Sequence, residues 1–346
     1  MRKKILFNFI ALISSFSFAQ GPLCTDTFQK LNPTRKIYRP LLSTNSEALQ
    51  STKINTVFPA SNMFIYPADK WLAPDSEYVE QIKLRQSLYQ KRPSDILKVQ
   101  PGQETRVTEA AQEFLEMTAN QLVTQFPSIY EKENNIIKVK ATGIQVSLDA
   151  NMGNHPLEKL GLLIQDDITV NLKDKDGKII LAGGFLATPT NWSLKDFIGM
   201  DVHSIHAGIP EYENRLKKTV EGTVERGVRG KCIGRNNWFL VTNPELSLPS
   251  YRASTFKQPI ITENNIGKNL FLRSELESII NLPKTGATIF TIRPRVWNME
   301  YVRNNAPEIV KNLMTAIKLP ESGYSDSPWN KSLLKYFATE PLKSAP

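Results

Sequence analysis

Three histidines, His155, His203 and His206, supply every imidazole in the chain, and two of them stand just before Ala207-Gly-Ile-Pro210. Imidazole carries protons near neutral pH and ligates metal ions, and a loop holding glycine and proline fixes where such a ring points. The plain reading of His206 is a loop or capping residue that holds a backbone carbonyl. The chemical reading is a metal ligand, with His203 as its fallback. His155 precedes Pro156 and a helix start, and reads as structural. A second constellation is Leu272-Arg-Ser-Glu275, within a run where Leu270, Leu272, Ser274 and Leu276 alternate with Phe271, Arg273, Glu275 and Glu277. That is the period of a strand with two different faces. Leu282-Pro283-Lys-Thr-Gly286 turns the chain into a second run, Ala287 to Ile292, which leads to Arg293. Arg235, Arg273 and Arg293 can each grip a carboxylate through two donors; equally, each is an exposed sheet arginine or the partner of a neighbour such as Glu275. Trp238 reads as core filling or as the wall of a pocket, and Asn237 as a polar residue with a task.

The elements around these residues follow from periodicity and punctuation. A helix is expected from about Asp75 to Gln90, stopped at Arg92-Pro93, and a second from about Glu104 to Phe126, where Val107, Ala111, Phe114, Leu115, Leu122 and Val123 recur at helical spacing. Ile136 to Lys140 and Ile168 to Leu172 read as strands, with a short helix from Leu157 to Ile164 between them. Asp174-Lys-Asp-Gly177 turns into a further strand, Ile179 to Leu186, a hairpin with an Asp-Gly signal. A helix over Tyr212 to Arg226, a strand over Asn237 to Thr242, the Arg273/Arg293 hairpin and a closing helix over about Glu300 to Ile317 complete the body. Antiparallel strands with helices around them define an α+β fold. Residues 20–65, rich in Pro, Ser, Thr and Asn, read as an extended arm, and residues 321–346 as a loosely organised tail.

Met1-Arg-Lys-Lys4, the apolar run that follows and Ser17-Phe18-Ala19 have the charged start, greasy middle and small-residue end of a secretory signal peptide over residues 1–19. The protein is therefore expected to be exported, periplasmic or extracellular, with no integral membrane segment after cleavage. The formal charge is +9, and it falls to +6 without Arg2, Lys3 and Lys4. That excess is spread along the chain and lacks the basic runs interleaved with aromatics that mark nucleic-acid binding. Cys24 and Cys232 could pair in an oxidising compartment or stay as thiols. No Cys-x-x-Cys-His is present for covalent haem attachment, and no Gly-x-Gly-x-x-Gly or cysteine cluster for carrying electrons.

Taken in order, Gln165-Asp-Asp167, Ile205-His206-Ala-Gly-Ile-Pro210, Arg235-Asn-Asn-Trp238, Leu272-Arg-Ser-Glu275 and the hairpin to Arg293 resemble the alpha-subunit-like family of haem-dependent oxidative N-demethylases, from about Tyr66 to about Lys318. The resemblance implies a PAS-like antiparallel sheet flanked by helices over residues 66–320, with an N-terminal helical extension and a C-terminal helix. It implies haem b, with His206 as proximal iron ligand, and makes Arg235, Arg273 and Arg293 the partners of the haem propionates with Trp238 beside them. It gives Glu275 and Asn237 catalytic tasks, Glu275 attracting a small methylated amine that is oxidised and releases formaldehyde, with electrons from an external donor or reductase. The chain departs from the pattern after Glu275: Leu276-Glu277-Ser278-Ile279 replaces Arg-Gln-Thr-Leu, losing a positive charge and gaining a negative one. Export would also separate the protein from cytoplasmic reductase partners. An oxidoreductase and an exported, non-turnover haem or small-ligand binder are therefore both expectations, beside a scaffold that kept only the fold.

Overall fold

A computed structural model describes residues 41–57, 63–66, 70–209, 211–226, 231–253 and 255–339. The expected leader and Cys24 lie outside the described residues, as does Pro210. Among the described residues the strands are β1 (Met63–Ile65), β2 (Leu97–Val99), β3 (Tyr130–Glu133), β4 (Ile136–Val139), β5 (Ile144–Ser147), β6 (Asp167–Lys173), β7 (Ile179–Phe185), β8 (Ile233–Val241), β9 (Phe271–Asn281) and β10 (Thr288–Asn298). Seven of them form one antiparallel sheet in the order β1-β8-β9-β10-β6-β7-β2, and β3-β4-β5 form a small second sheet. The fold is α+β, as the alternating segments require.

The helices are α1 (Ser46–Ser51), α2 (Tyr78–Lys91), α3 (Pro93–Ile96), α4 (Glu104–Gln125), α5 (Pro156–Leu163), α6 (Leu194–Phe197), α7 (Val202–His206), α8 (Lys217–Arg226), α9 (Ser250–Ala253), α10 (Ile266–Asn269), α11 (Met299–Asn305), α12 (Pro307–Ala316) and α13 (Asn330–Ala338). One face of the sheet carries two apolar cores. Val107, Phe114 and Leu115 of α4 and Leu157 and Leu160 of α5 pack with Ile168, Val170, Phe185 and Ile289. Further along, Leu272, Trp238 and Trp297 pack with α11, α12 and α13. The opposite face is covered by the stretch from α6 to α8, through Leu194, Phe197 and Ile205 against Leu181 and Leu186. Gly184 is needed there: a Cβ at this position would lie 2.7 Å from the Ile168 carbonyl and 3.0 Å from Leu194.

Four expectations change. The expected arm holds α1, whose Leu49 is buried, and β1, which pairs with β8. The C-terminal tail contains α13, with Leu333 and Phe337 buried, because an amphipathic helix gains by covering the Trp238 and Trp297 core. The closing helix is split between α11 and α12, since Pro307 has no N–H to continue the first helix and suits the first turn of the next. The stretch from Tyr212 begins as a π-helical turn, Tyr212–Leu216, before α8. Both strands of the Arg273/Arg293 hairpin also run longer than expected, with eleven paired positions from Thr288↔Asn281 to Asn298↔Phe271.

Candidate functional site

Antiparallel register decides which side chains can meet, because residues opposite each other point to the same face and neighbours along a strand to opposite ones. Arg235 stands opposite Glu277, Asn237 opposite Glu275 and Phe239 opposite Arg273. On β10 the partners of Glu277, Glu275 and Arg273 are Ile292, Pro294 and Val296. Arg235, Asn237, Arg273, Glu275 and Glu277 therefore share the face beneath α6, α7 and α8. Arg293 stands opposite Leu276 and Trp238 opposite Ser274, which places both on the far face.

The charged row is buried and closely paired. Arg273 is 1 % exposed; its Nε donates to Glu275 Oε1 at 3.2 Å, its Nη1 to the Glu245 and Leu246 carbonyls, and its Nη2 to the Thr188 carbonyl at 2.8 Å. Burial lowers the proton affinity of this guanidinium, and Glu275 works against that shift. Glu275 Oε1 also accepts from the Thr190 hydroxyl, while Oε2 has no hydrogen bond among the described residues. Arg235 Nη1 donates to Glu277 Oε2 at 2.8 Å. Burial raises the pKa of Glu277, the Glu275 charge adds to the rise, and Arg235 and a hydrogen bond from Asn237 oppose it.

His206 closes α7 above this row. Its Nδ1 lies 2.7 Å from the Val202 carbonyl, and its ring stacks on Tyr212 with centroids 5.3 Å apart and planes 13° from parallel. A carbonyl at Nδ1 selects the tautomer with the proton there and leaves Nε2 as a free lone pair, the arrangement found behind metal-ligating histidines. Burial lowers the pKa of His206, the Val202 carbonyl counters this, and the positive charge of Arg235 lowers it further. The ring is thus neutral at physiological pH, and Arg235 lies within electrostatic reach of it. Tyr212 in turn donates to Glu221 at 3.3 Å.

The remaining candidates go elsewhere. His203 places Nδ1 3.2 Å from Glu221 and Nε2 3.3 Å from Glu213, so both ring nitrogens face carboxylates. His155 caps α5 by accepting from the Leu157 N–H, and burial pulls its pKa down to about 4. Trp238 fills the second core, stacked on Tyr324 with Nε1 donating to Asn55 Oδ1 at 2.6 Å. Arg293 is locked to Asp166 at 2.5 Å and to the Ala73 carbonyl. Of the three arginines and the tryptophan expected to gather round one cofactor, Arg293 and Trp238 lie on the far face, and only Arg235 and Arg273 share the face beneath α7. Asn237 is a strut for Glu277, and its Oδ1 accepts the Trp238 N–H at 3.1 Å.

Glu277, Thr190 and Tyr212 join the site from outside the expected set. Glu277 was legible, since period-two alternation puts it beside Glu275; Thr190 comes from a loop and Tyr212 from the start of a π-helical turn, and neither sequence signals a site. Cys232 is buried on the far face near Ser278, where burial pushes its thiol up to about 12. A shallow cavity of about 280 Å³ between α4 and the β9–β10 turn is lined by Glu113, Glu116 and Lys284 and includes none of these residues.

Among the described residues no cluster of three or more His, Cys, Asp and Glu side chains is arranged to hold a bare metal ion. A porphyrin brings most of an iron's ligands itself and asks one donor of the protein, which a neutral imidazole can supply. The His206 imidazole and the part-exposed Arg235 suit iron and a propionate chemically, whereas Arg273 and Arg293 have their donors turned to carbonyls and carboxylates. No described helix is long and apolar enough to cross a membrane. The sequence model described as haem-dependent oxidative N-demethylase, alpha subunit-like, matches residues 63–333, well over half of the chain.

Proposed function

Because the chain belongs to the haem-dependent oxidative N-demethylase alpha-subunit-like family, we propose that it is a haem-binding oxidoreductase for small N-methylated amines, with His206 Nε2 as the proximal ligand of haem b in a PAS-like fold. The observation that carries this reading is the His206 ring itself: hydrogen-bonded at Nδ1 to Val202, stacked on Tyr212, held neutral, and with no hydrogen bond at Nε2 among the described residues. Bound haem would supply the oxidative chemistry, and the electrons would come from a separate donor.

What the chain's own residues would do follows from their places. Val202 and Tyr212 orient the imidazole. Arg235 offers a guanidinium to a ligand carboxylate on the same face. Glu275 keeps Oε2 for an ammonium group, with Arg273 and Thr190 holding Oε1 in position, and an ion pair there offsets part of the desolvation of both charges. Asn237 acts through Glu277.

A second reading, an exported haem or small-ligand binder without turnover, draws on the same row: its arginines and carboxylates are already paired with one another. A leader over Met1 to Ala19 would export either form, and the mass of the secreted protein tests this. Haem titration of the purified protein separates the functional readings. A Soret band that is lost or shifted in His206→Ala is expected; an identical band in the variant overturns the ligand assignment. Amine-dependent formaldehyde release with a surrogate reductant is expected of the oxidoreductase, and its absence from a haem-loaded protein leaves the binder.

A further inference from the structure

Of the arginines on the buried row, Arg235 is the accessible one: its side chain is 31 % exposed, against 1 % for Arg273. Its positive charge is among the influences that lower the proton affinity of His206, after burial, and its strand position puts it on the face beneath α7. Its counter-ion, Glu277, is only 5 % exposed. Around Glu277 stand Glu275 and Arg273 on β9, Arg235 and Asn237 on β8 and apolar Ile292 on β10. Glu221 of α8 and His206 of α7 lie on the elements that cover this face, where Glu221 bonds His203 and Tyr212. Within this set Glu277 meets one guanidinium and one amide and adds its charge to that of Glu275. A carboxylate arriving at Arg235 would find the guanidinium already neutralised and a second negative charge in hydrogen-bonding range of it.

We infer that Glu277 is a built-in counter-ion that a carboxylate-bearing ligand of the His206 site must displace from Arg235, so that removing the Glu277 charge, by protonation or substitution, strengthens that ligand. This rests on the haem reading above, with a propionate as the carboxylate. No covalent step is involved: a proton taken up by Glu277, or its movement away from Arg235, accompanies binding. Burial raises the proton affinity of Glu277.

The test is a haem titration followed at the Soret band for the full chain, Glu277→Gln, Arg235→Gln and the double variant. Glu277→Gln is expected to bind haem about tenfold more tightly at about pH 8, the factor that one pKa unit of coupling supplies. The advantage should shrink as the pH falls and the wild-type carboxyl gains its proton; comparing ratios cancels any titration of His206. Arg235→Gln should weaken binding and abolish the gain from Glu277→Gln in the double variant. Equal affinities of wild type and Glu277→Gln, or a gain that persists without Arg235, overturn the inference while leaving haem binding standing. No Soret complex in any of the four proteins overturns the haem reading and this inference together.

Discussion

Asp166 and Asp167 are consecutive residues that each hold a buried arginine: Asp166 binds Arg293 at 2.5 Å, and Asp167 binds Arg85 at 2.6 Å. Asp167 also accepts from the Ala187 and Thr188 N–H groups and the Thr188 hydroxyl. It therefore anchors the loop that brings the Thr188 carbonyl to Arg273 and Thr190 to Glu275.

Asp166→Asn should destabilise the protein by about 3–5 kcal/mol, because Arg293 is left buried without its charge partner, and should leave the Soret band of any haem complex unmoved. Asp167→Asn should cost a similar amount and also disturb Glu275 through the loop. Denaturant unfolding gives the first quantity and the haem spectrum the second. A displaced band in Asp166→Asn would contradict the separation of the two faces.

Trp238→Ala should lower stability by about 3–5 kcal/mol, the usual range for emptying a large aromatic site in a core, since Trp238 is 4 % exposed and stacks on Tyr324. Haem affinity of the folded variant should match wild type. A selective loss of haem at unchanged stability would return Trp238 to the pocket wall.

Two buried groups at the start of α5 titrate against each other. Burial raises Glu158 from 4.5 to about 7, so the folded state holds that proton more tightly and stability falls as pH rises from 4.5 through about 7. Burial lowers His155 from 6.5 to about 4, so the folded state resists that proton and stability rises as pH climbs from about 4 to 6.5. The opposed slopes flatten the wild-type profile in their shared window. Glu158→Gln should expose the rising His155 limb, gaining stability relative to wild type between about pH 5 and about pH 7. Unfolding midpoints across that interval are the measurement, and parallel profiles would contradict the assignment.

Gly184→Ala should cost about 1–3 kcal/mol through overpacking, because the new methyl meets the Ile168 carbonyl, which is backbone and cannot swing aside. Gly161→Ala meets only the Phe185 ring, at 2.6 Å, and that ring must shift. The first substitution is expected to be the more damaging of the two in a thermal melt. The reverse order would show that β6 and β7 yield more readily than the core.

The alternation from Leu270 to Glu277, the Asp-Gly turn at Gly177 and the apolar spacing of α4 are local properties of neighbouring residues, so the amino-acid order alone determined β6, β7, β9 and β10 with their two hairpins, the long helix and the shared face of Arg273, Glu275 and Glu277. The same logic of alternate faces already separates Asn237 from Trp238. Which arginine meets which carboxylate is not local. Arg273 and Arg293 lie on opposite faces because the β9–β10 turn sets the register, and one residue more or less in that turn would exchange every partner. Only the tertiary structure put Arg235 against Glu277, carried Thr190 to Glu275 and set the His206 ring on Tyr212 with no hydrogen bond at Nε2 among the described residues. Those contacts join segments far apart in the chain, and their positions follow from the packing of α6, α7 and α8 onto the sheet.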